Sequence, residues 1–167
     1  MTEATSAPDT PEAITRTSVL AFFAADHVAV SDNKMYVNGG FFNLLRFPVF
    51  PATLPTLGIG VVLQIPFQDT MHNHVFRIGM RGPEHQELPV RIEGQFRTTP
   101  SHEAEFGEPN IVPFGVTIPN VQIAAPGAYQ LEYLLDNQLM ATYRMRAFQV
   151  PMVMTIGTPP AQPDPDE

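Results

Sequence analysis

The feature that most limits how this chain can fold is an alternation of apolar and polar residues with a period of two. In 57–65 the odd positions are all apolar, and in 88–97 the even positions are apolar or glycine while the odd ones are polar or proline. Successive side chains of a β-strand point to opposite faces, so this pattern is typical of strands with one buried face. The sequence therefore predicts a chain built mainly of β-strands.

The alternation predicts strand segments at 18–30, 34–39, 41–47, 57–65, 74–81, 88–98, 111–123, 128–135 and 139–150, some of which can merge. Proline makes up 18 of the 167 residues, and proline is not tolerated in helix interiors. We therefore expect an all-β fold, an antiparallel β-sandwich of about seven to nine strands with little or no helix.

Two details refine this fold. Pro126-Gly127-Ala128-Tyr129 precedes an alternating run and has the form of a tyrosine corner, which favours an immunoglobulin-like sandwich. The apolar positions change phase within 112–123 and again within 139–150. A phase change of this kind predicts either a β-bulge or a strand that crosses to the other sheet.

The acidic residues indicate where the folded domain begins and ends. The net charge is −8, but residues 1–12 and 158–167 each contain three acids and no base. Both segments are also rich in proline, so we predict disordered tails at 1–13 and 158–167 around one sandwich domain at 14–157. A docking peptide in a tail is the alternative interpretation.

Composition excludes several classes of protein. The absence of cysteine excludes a disulfide scaffold, a thiol enzyme and a zinc–cysteine site, and we expect no cofactor. An acidic chain with a single lysine is not expected to bind nucleic acid. The longest apolar run, 19–25, is too short to span a membrane, so we expect a cytoplasmic protein without a membrane partner.

Several of these segments together resemble a known family. They are V-S-D-N-K from Val30, Asn38-Gly39-Gly40, LQIPFQDTMHNHVFRI from Leu63, PVRIEGQF from Pro89, and PGAYQLEYLLDNQ from Pro126. Over about residues 17–150 the chain is similar to a family of small uncharacterised bacterial β-sandwich proteins, a domain of unknown function. The resemblance implies a single sandwich domain without assigned catalytic residues. The chain departs from the pattern between Arg81 and Leu88, where an acidic turn containing glycine is expected.

Few residues indicate chemistry. His72 and His74 would share a face if both lay on one strand, where a third ligand could complete a metal site. The other interpretation places them in a polar loop. The polar stretch 98–110, with His102, Glu103, Glu105 and Glu108, is either a cation site or a solvated loop. No serine lies in a G-x-S-x-G motif, so we expect no enzyme.

The segment 47–55 is apolar but interrupted by prolines, which remove backbone donors and therefore disfavour a strand. It is either a loop that covers an open end of the sandwich or a contact with another subunit. The apolar run 150–156 extends beyond the last expected strand. The predicted interaction residues are Phe47, Val49, Phe50, Leu54, Met152 and Met154.

These observations favour a non-catalytic β-sandwich module that acts through protein–protein contacts, and we expect it to self-associate as a homo-oligomer. Two alternatives stay open. One is a small-ligand or metal-binding sandwich with His72 and His74 at its site. The other is a structural component of a virion or protein shell, where single sandwiches with acidic tails are common building units.

Overall fold

The computed structural model of the chain describes residues 15–99 and 107–151, which contain ten strands and two short 3₁₀ turns, Phe67–Asp69 and Pro83–His85. The strands are β1 (Ser18–Ala25), β2 (His27–Ser31), β3 (Lys34–Asn38), β4 (Leu44–Phe47), β5 (Ala52–Ile65), β6 (His74–Arg81), β7 (Glu87–Phe96), β8 (Asn110–Ile123), β9 (Gly127–Leu135) and β10 (Gln138–Gln149). The predicted all-β class is confirmed, with slightly more strands than expected. The tails predicted at 1–13 and 158–167 lie outside the described residues. No helix in the described part is long and apolar enough to cross a membrane.

Two sheets enclose the core. The larger sheet has the order β4-β10-β9-β6-β7 and the smaller sheet the order β1-β5-β8, while β2 and β3 form a separate hairpin. Neighbouring strands are antiparallel except at one edge, where Leu44–Phe47 of β4 runs parallel to Arg146–Gln149 of β10. The predicted antiparallel sandwich is therefore confirmed, with one parallel pair that local patterning did not indicate.

The core consists of the predicted inner rows. The odd positions of β5 from Leu57 to Ile65 are all completely buried. The inner row of β9 is at most 4% exposed and consists of Tyr129, Leu131, Tyr133 and Leu135. Both rows belong to one hydrophobic cluster that also includes buried residues of β1, β4, β6, β7, β8 and β10. Burial of each such side chain contributes about 1.5–3 kcal/mol, so this cluster is the main source of stability.

The segment predicted as one strand at 18–30 is two strands. The Asp26 amide donates to the carbonyl oxygens of Asn38 and Gly39, at 3.1 and 3.3 Å. The chain therefore leaves the smaller sheet at Asp26 and continues as β2, which pairs with β3. This departure explains why the strand count exceeds the prediction.

The β2–β3 hairpin lies on the outside of the smaller sheet. A Cβ atom on Gly58 would come within 2.9 Å of the backbone of His27 and Val28, so only glycine permits this close approach. Beside it, the Thr117 hydroxyl accepts from the Val28 amide and donates to the Val28 carbonyl, both at 3.0 Å. These contacts attach β2 to β5 and β8 without a shared strand ladder.

The phase change predicted within 112–123 is present, but it is not a bulge. The register between β5 and β8 is constant from Ala52 to Ile65 and only leaves Pro55 and Asn120 unpaired. Asn120 has a φ of 54°, in the left-handed region. Because both strands reverse their faces at the same level, Val121 joins the core opposite Leu54.

The phase change predicted within 139–150 is wrong. Met145 and Ala147 are both buried, so the alternation continues to the end of β10. Phe148 faces outward, where the guanidinium of Arg46 lies 5.4 Å from its ring centroid. The irregularity in β10 is instead a register shift between Leu139 and Ala141.

Two hairpins, β2–β3 and β9–β10, turn at an Asp-Asn pair. The four residues of these pairs have φ between 49° and 65°, as a two-residue type I′ turn requires; they are Asp32, Asn33, Asp136 and Asn137. The departure from the family pattern after Arg81 still closes the β6–β7 hairpin, because the Gly82 amide donates to the Gln86 carbonyl at 2.8 Å.

The tyrosine corner is confirmed: the Tyr129 hydroxyl donates to the Ala125 carbonyl at 2.7 Å. A second core tyrosine, Tyr133, lies two positions along the same strand. Its hydroxyl is buried and has no hydrogen-bond partner among the described residues. The two phenols therefore contribute differently to stability, although both rings fill the same core.

We expect Tyr129→Phe to lower the free energy of unfolding by about 1 kcal/mol, because it removes the hydrogen bond from the Tyr129 hydroxyl to the Ala125 carbonyl. The matched variant Tyr133→Phe removes only an unsatisfied hydroxyl, so its stability should equal or exceed that of the wild type. Urea denaturation of both variants tests this. Equal losses in the two variants would contradict the assigned hydrogen bonding.

Candidate functional site

The two histidines of the predicted metal pair do not share a strand. β6 begins at His74, whereas His72 is exposed in the preceding loop, so the two do not share the strand face that the metal-site interpretation requires. His74 is only 7% exposed, and its Nδ1 lies 2.8 Å from Oδ2 of Asp136. Across residues 15–99 and 107–151, no three His, Asp or Glu side chains are grouped so that they could hold a metal ion. Of the predicted loop site at 98–110, residues 100–106 lie outside the described part.

Asp136 connects the β9–β10 turn to the start of β6. Its carboxylate contacts His74 and accepts from the Val75 amide at 2.9 Å, while its own amide donates to the Val75 carbonyl at 2.8 Å. Burial by itself raises the pKa of Asp136, but the hydrogen bonds from His74 and Val75 and the charge of His74 outweigh it and lower that pKa. Burial, together with the charge of Asp136, raises the pKa of Tyr133. The contact with Asp136 therefore gives His74 a role in the fold.

The predicted interaction segment 47–55 is mostly part of the fold. Phe47 ends β4, and its ring packs edge-on against that of Phe50 with centroids 5.5 Å apart. Both rings are half-buried against the main core, so the segment covers it as a loop would. Phe47 pairs with Gln149, and Leu54 lies in β5 opposite Val121, so the expectation that 47–55 is not a strand is wrong at Phe47 and from Ala52 onward.

Val49 differs from Phe47, Phe50 and Leu54, since 61% of its surface is exposed. The loop is held at its start, because the Val150 amide donates to the Phe47 carbonyl at 2.9 Å and Gln149 Nε2 donates to the Pro48 carbonyl at 3.0 Å. Met152 and Met154 lie outside the described residues. Of the predicted interaction residues that are described, only Val49 is openly available to a partner.

The structure brings together a different set of residues on the outer face of the larger sheet. Cross-strand neighbours in a sheet share a face, and the arginines of this sheet alternate with buried residues. Six of the nine basic residues of the chain therefore point outward from this one sheet. We call this surface the arginine face; its members are Arg46, Arg77, Arg81, Arg91, Arg144 and Arg146.

A shallow hollow of about 60 Å³ lies within the arginine face. Gly79 forms its floor, opposite Arg91 of β7 and Glu132 of β9. A Cβ atom at Gly79 would meet no heavy atom within 4 Å, so the space above it is open. Arg77 and Arg81 flank Gly79 along β6, and Glu87 and Glu132 also line the hollow.

Some arginines of this face are paired within the chain. Arg81 contacts Glu132 at 2.9 Å and Glu87 at 3.3 Å, and Arg91 contacts Glu93 at 2.6 Å. Among the described residues, Arg77 and Arg146 have no carboxylate partner within ion-pair distance. The face therefore has an excess of unpaired positive charge although the whole chain is acidic.

Local patterning revealed only part of this face. Arg77, Arg81 and Arg91 occupy outward positions of their predicted strands, but the pattern does not show which strands are neighbours. The register does: Arg144 pairs with Gln130, and Gln130 pairs with Arg81. Counting the arginines at the outward positions of all predicted strands would have been the one way to infer this basic face from the sequence.

The two sheets, the tyrosine corner and the outward arginines define an immunoglobulin-like β-sandwich with a basic sheet face. The chain belongs to DUF6941, a family of unknown function whose model matches residues 20–148. This confirms the resemblance to an uncharacterised β-sandwich family. No match is found among curated proteins.

Two solved structures are similar in fold. An immunoglobulin-like protein from Pseudomonas aeruginosa has 10% sequence identity and a TM-score of 0.38, over 80% of this chain and 98% of that one. The alkylpurine DNA glycosylase AlkC of Pseudomonas fluorescens, bound to DNA containing an abasic site analogue, has 6% identity and a TM-score of 0.41. That match covers 78% of this chain but only 30% of the glycosylase, and both likenesses concern the fold alone.

We expect Asp136→Asn to reduce stability in a pH-dependent way. Because the folded-state pKa of Asp136 is lowered, its carboxylate stabilises the fold above the unfolded-state pKa near 3.8, and this contribution is lost as the pH falls through the folded-state value. The loss at pH 7 should be less than about 1 kcal/mol, since the carboxylate is half-exposed and solvent screens it. Urea denaturation at pH 7 and pH 3 measures it.

The matched control is Asp32→Asn, at the equivalent position of the β2–β3 turn. Asparagine tolerates the left-handed backbone of both turns, so neither variant disturbs turn geometry. The control should change stability by less than about 0.5 kcal/mol at either pH. A loss in Asp136→Asn that is the same at pH 7 and pH 3 would contradict the role of the carboxylate.

Proposed function

We propose that this protein is a non-catalytic interaction module that binds an acidic segment of a partner protein through the arginine face. The observation that carries this proposal is the placement of six of its nine basic residues on one sheet face, around the hollow at Gly79. Nothing about the fold requires this placement, because outward positions of a sheet accept any polar residue.

The chemistry of the face suits carboxylate ligands. Arginine presents a planar fork of donors that matches a carboxylate with two parallel hydrogen bonds. Arg77 lines the hollow. Because Gly79 has no side chain, the space above it is open to an incoming carboxylate. Arg81 and Arg91 are already oriented by Glu132 and Glu93, so binding orders fewer side chains.

The pattern of charges favours a protein partner over a nucleic acid. Glu87, Glu93 and Glu132 are interspersed with the arginines, and a regular phosphate backbone would be repelled by these carboxylates. The net charge of −8 also opposes the approach of a polyanion as long as DNA or RNA. A short acidic peptide is less affected by the net charge of the chain. Salt screens its repulsion from acidic residues more than about 8 Å away, so the nearby arginines dominate.

The first experiment measures binding of a fluorescein-labelled decaglutamate peptide to the full chain by fluorescence anisotropy at low salt. We expect binding that weakens as salt is added, and about fivefold weaker binding by Arg77→Gln combined with Arg91→Gln, from roughly 1 kcal/mol for the two arginines. The control, Arg16→Gln combined with Lys34→Gln, removes equal charge outside the arginine face and should change affinity less than about twofold.

Two results would contradict the proposal. One is an equal loss of affinity in both double variants, since net charge alone would then govern binding. The other is tighter binding of a ten-nucleotide oligothymidylate than of the peptide, because the face would then favour phosphate.

We also propose that copies of the chain associate through the free edge of β4. Leu44 and Val49 are 46% and 61% exposed there, and β4 is the last strand of the larger sheet. An edge strand presents unpaired backbone groups to which a second copy can add. We assign the self-association to Val49 and the edge of β4. Phe47 and Phe50 are not part of this contact, because they pack on the core of their own chain.

Val49→Asp should increase the monomer fraction with little loss of stability, because Val49 is mostly exposed. Phe50→Asp should instead lower stability by about 2 kcal/mol or more, since it places a charge against the core. Size-exclusion chromatography with light scattering, together with urea denaturation, separates the two effects. A wild-type chain that is monomeric at tens of micromolar would disprove this association.

A further inference from the structure

The C-terminal strand leaves the fold beside the arginine face. β10 is the second strand of the larger sheet, and its last residue, Gln149, pairs with Phe47 of β4. The described chain continues to Pro151, one residue beyond the hydrogen bond from Val150 to Phe47. Whatever follows therefore starts at the edge of this sheet.

Four arginines lie at the end of the sheet from which β10 leaves. Two of them share one level of the sheet, because Arg144 lies opposite Gln130, which in turn lies opposite Arg81. Arg146 lies opposite Leu44, and Arg46 lies opposite Phe148. A segment that turns back over the outer face meets these guanidinium groups first.

The charges of the segment and the face are complementary. Residues 158–167 contain Asp164, Asp166 and Glu167 and no basic residue. The arginine face carries six arginines against Glu87, Glu93 and Glu132, an excess of three positive charges. The segment and the face would therefore neutralise each other.

The chain is long enough for this contact. Asp164 comes thirteen residues after Pro151, and an extended chain spans about 3.3 Å per residue, or about 43 Å. The outer face is about 19 Å wide, since strands lie about 4.8 Å apart. The acids can therefore reach any arginine of the face, including those around the hollow.

We propose that the acidic segment 158–167 docks on the arginine face of its own chain and competes there with the acidic partner. The competition rests on the proposed function, whereas the docking does not. The equally acidic N-terminal segment enters the fold through β1, in the smaller sheet on the other side of the core. The C-terminal segment is therefore the occupant.

The proposed contact between the C-terminal segment and the arginine face is weak, but the covalent connection of the segment to the domain favours it. Each exposed ion pair contributes little by itself, and salt screens it. The covalent connection, however, holds the segment at an effective concentration in the millimolar range. A partner with more carboxylates, or a rise in salt, would displace it.

A spin label tests the docking directly in the full chain. The protein has no cysteine, so Ala161→Cys provides a single site for a nitroxide. At low salt we expect paramagnetic broadening of amide signals to be strongest on the larger sheet around Arg144 and Glu132, and to be lost at 0.5 M salt, well above physiological ionic strength. Broadening that is equal on both sheets, or that persists at high salt, would overturn the proposal.

The competition is tested with the decaglutamate peptide. Neutralising the segment by Asp164→Asn, Asp166→Asn and Glu167→Gln should tighten peptide binding several-fold, because the competitor is removed. The matched control, Glu3→Gln with Asp9→Asn and Glu12→Gln, changes the net charge equally and should alter affinity less than about twofold.

The outcomes distinguish the two proposals. Equal affinities of the wild type and the C-terminal triple variant would overturn the competition while the proposed function stands. Equal tightening in both triple variants would also overturn it, because overall charge would then explain the effect. If no variant binds the peptide, the proposed function fails, and the spin-label result alone decides whether the segment docks.

Discussion

The structure depends on the hydrophobic core between the two sheets. The completely buried row of β5 and the buried row of β9 belong to this one core. Both rows use every second residue of their strands, so the remaining residues must point away from the core. On the smaller sheet those outward positions include Gly58, which admits the β2–β3 hairpin. On the larger sheet they include the arginines.

This division gives the two sheets different outer surfaces. The smaller sheet is covered by a hairpin of its own chain, whereas the outer face of the larger sheet stays open in the described structure. The acidity of the whole chain conceals this difference, since six of the negative charges come from residues 1–12 and 158–167. The residues between them are nearly neutral, and six of the nine basic residues of the chain point outward from the larger sheet. This separation of charge is the basis on which we propose an acidic ligand, from the same chain or another, as the occupant.

Patterning predicted the strands well because alternation is a local property. The inner rows of β5 and β9, the tyrosine corner and the I′ turns all follow from residues close in sequence. The errors arose where an apolar side chain has a role other than the core, as with Phe148 beneath Arg46. The pairing of His74 with Asp136 could not be predicted, since Asp136 is 62 residues away and no local spacing indicates it.

The sequence by itself determined that this chain is a β-sandwich, which residues of most strands face inward, and where the Asp-Asn hairpins turn. A period of two and the preferences of turn residues suffice for that. Only the tertiary structure decided that β1 and β2 separate at Asp26, that β4 pairs in parallel with β10, and that the outward arginines lie in one sheet. The physical reason is that strand order depends on how whole sheets bury their apolar faces, and this is settled by contacts between residues far apart in the chain.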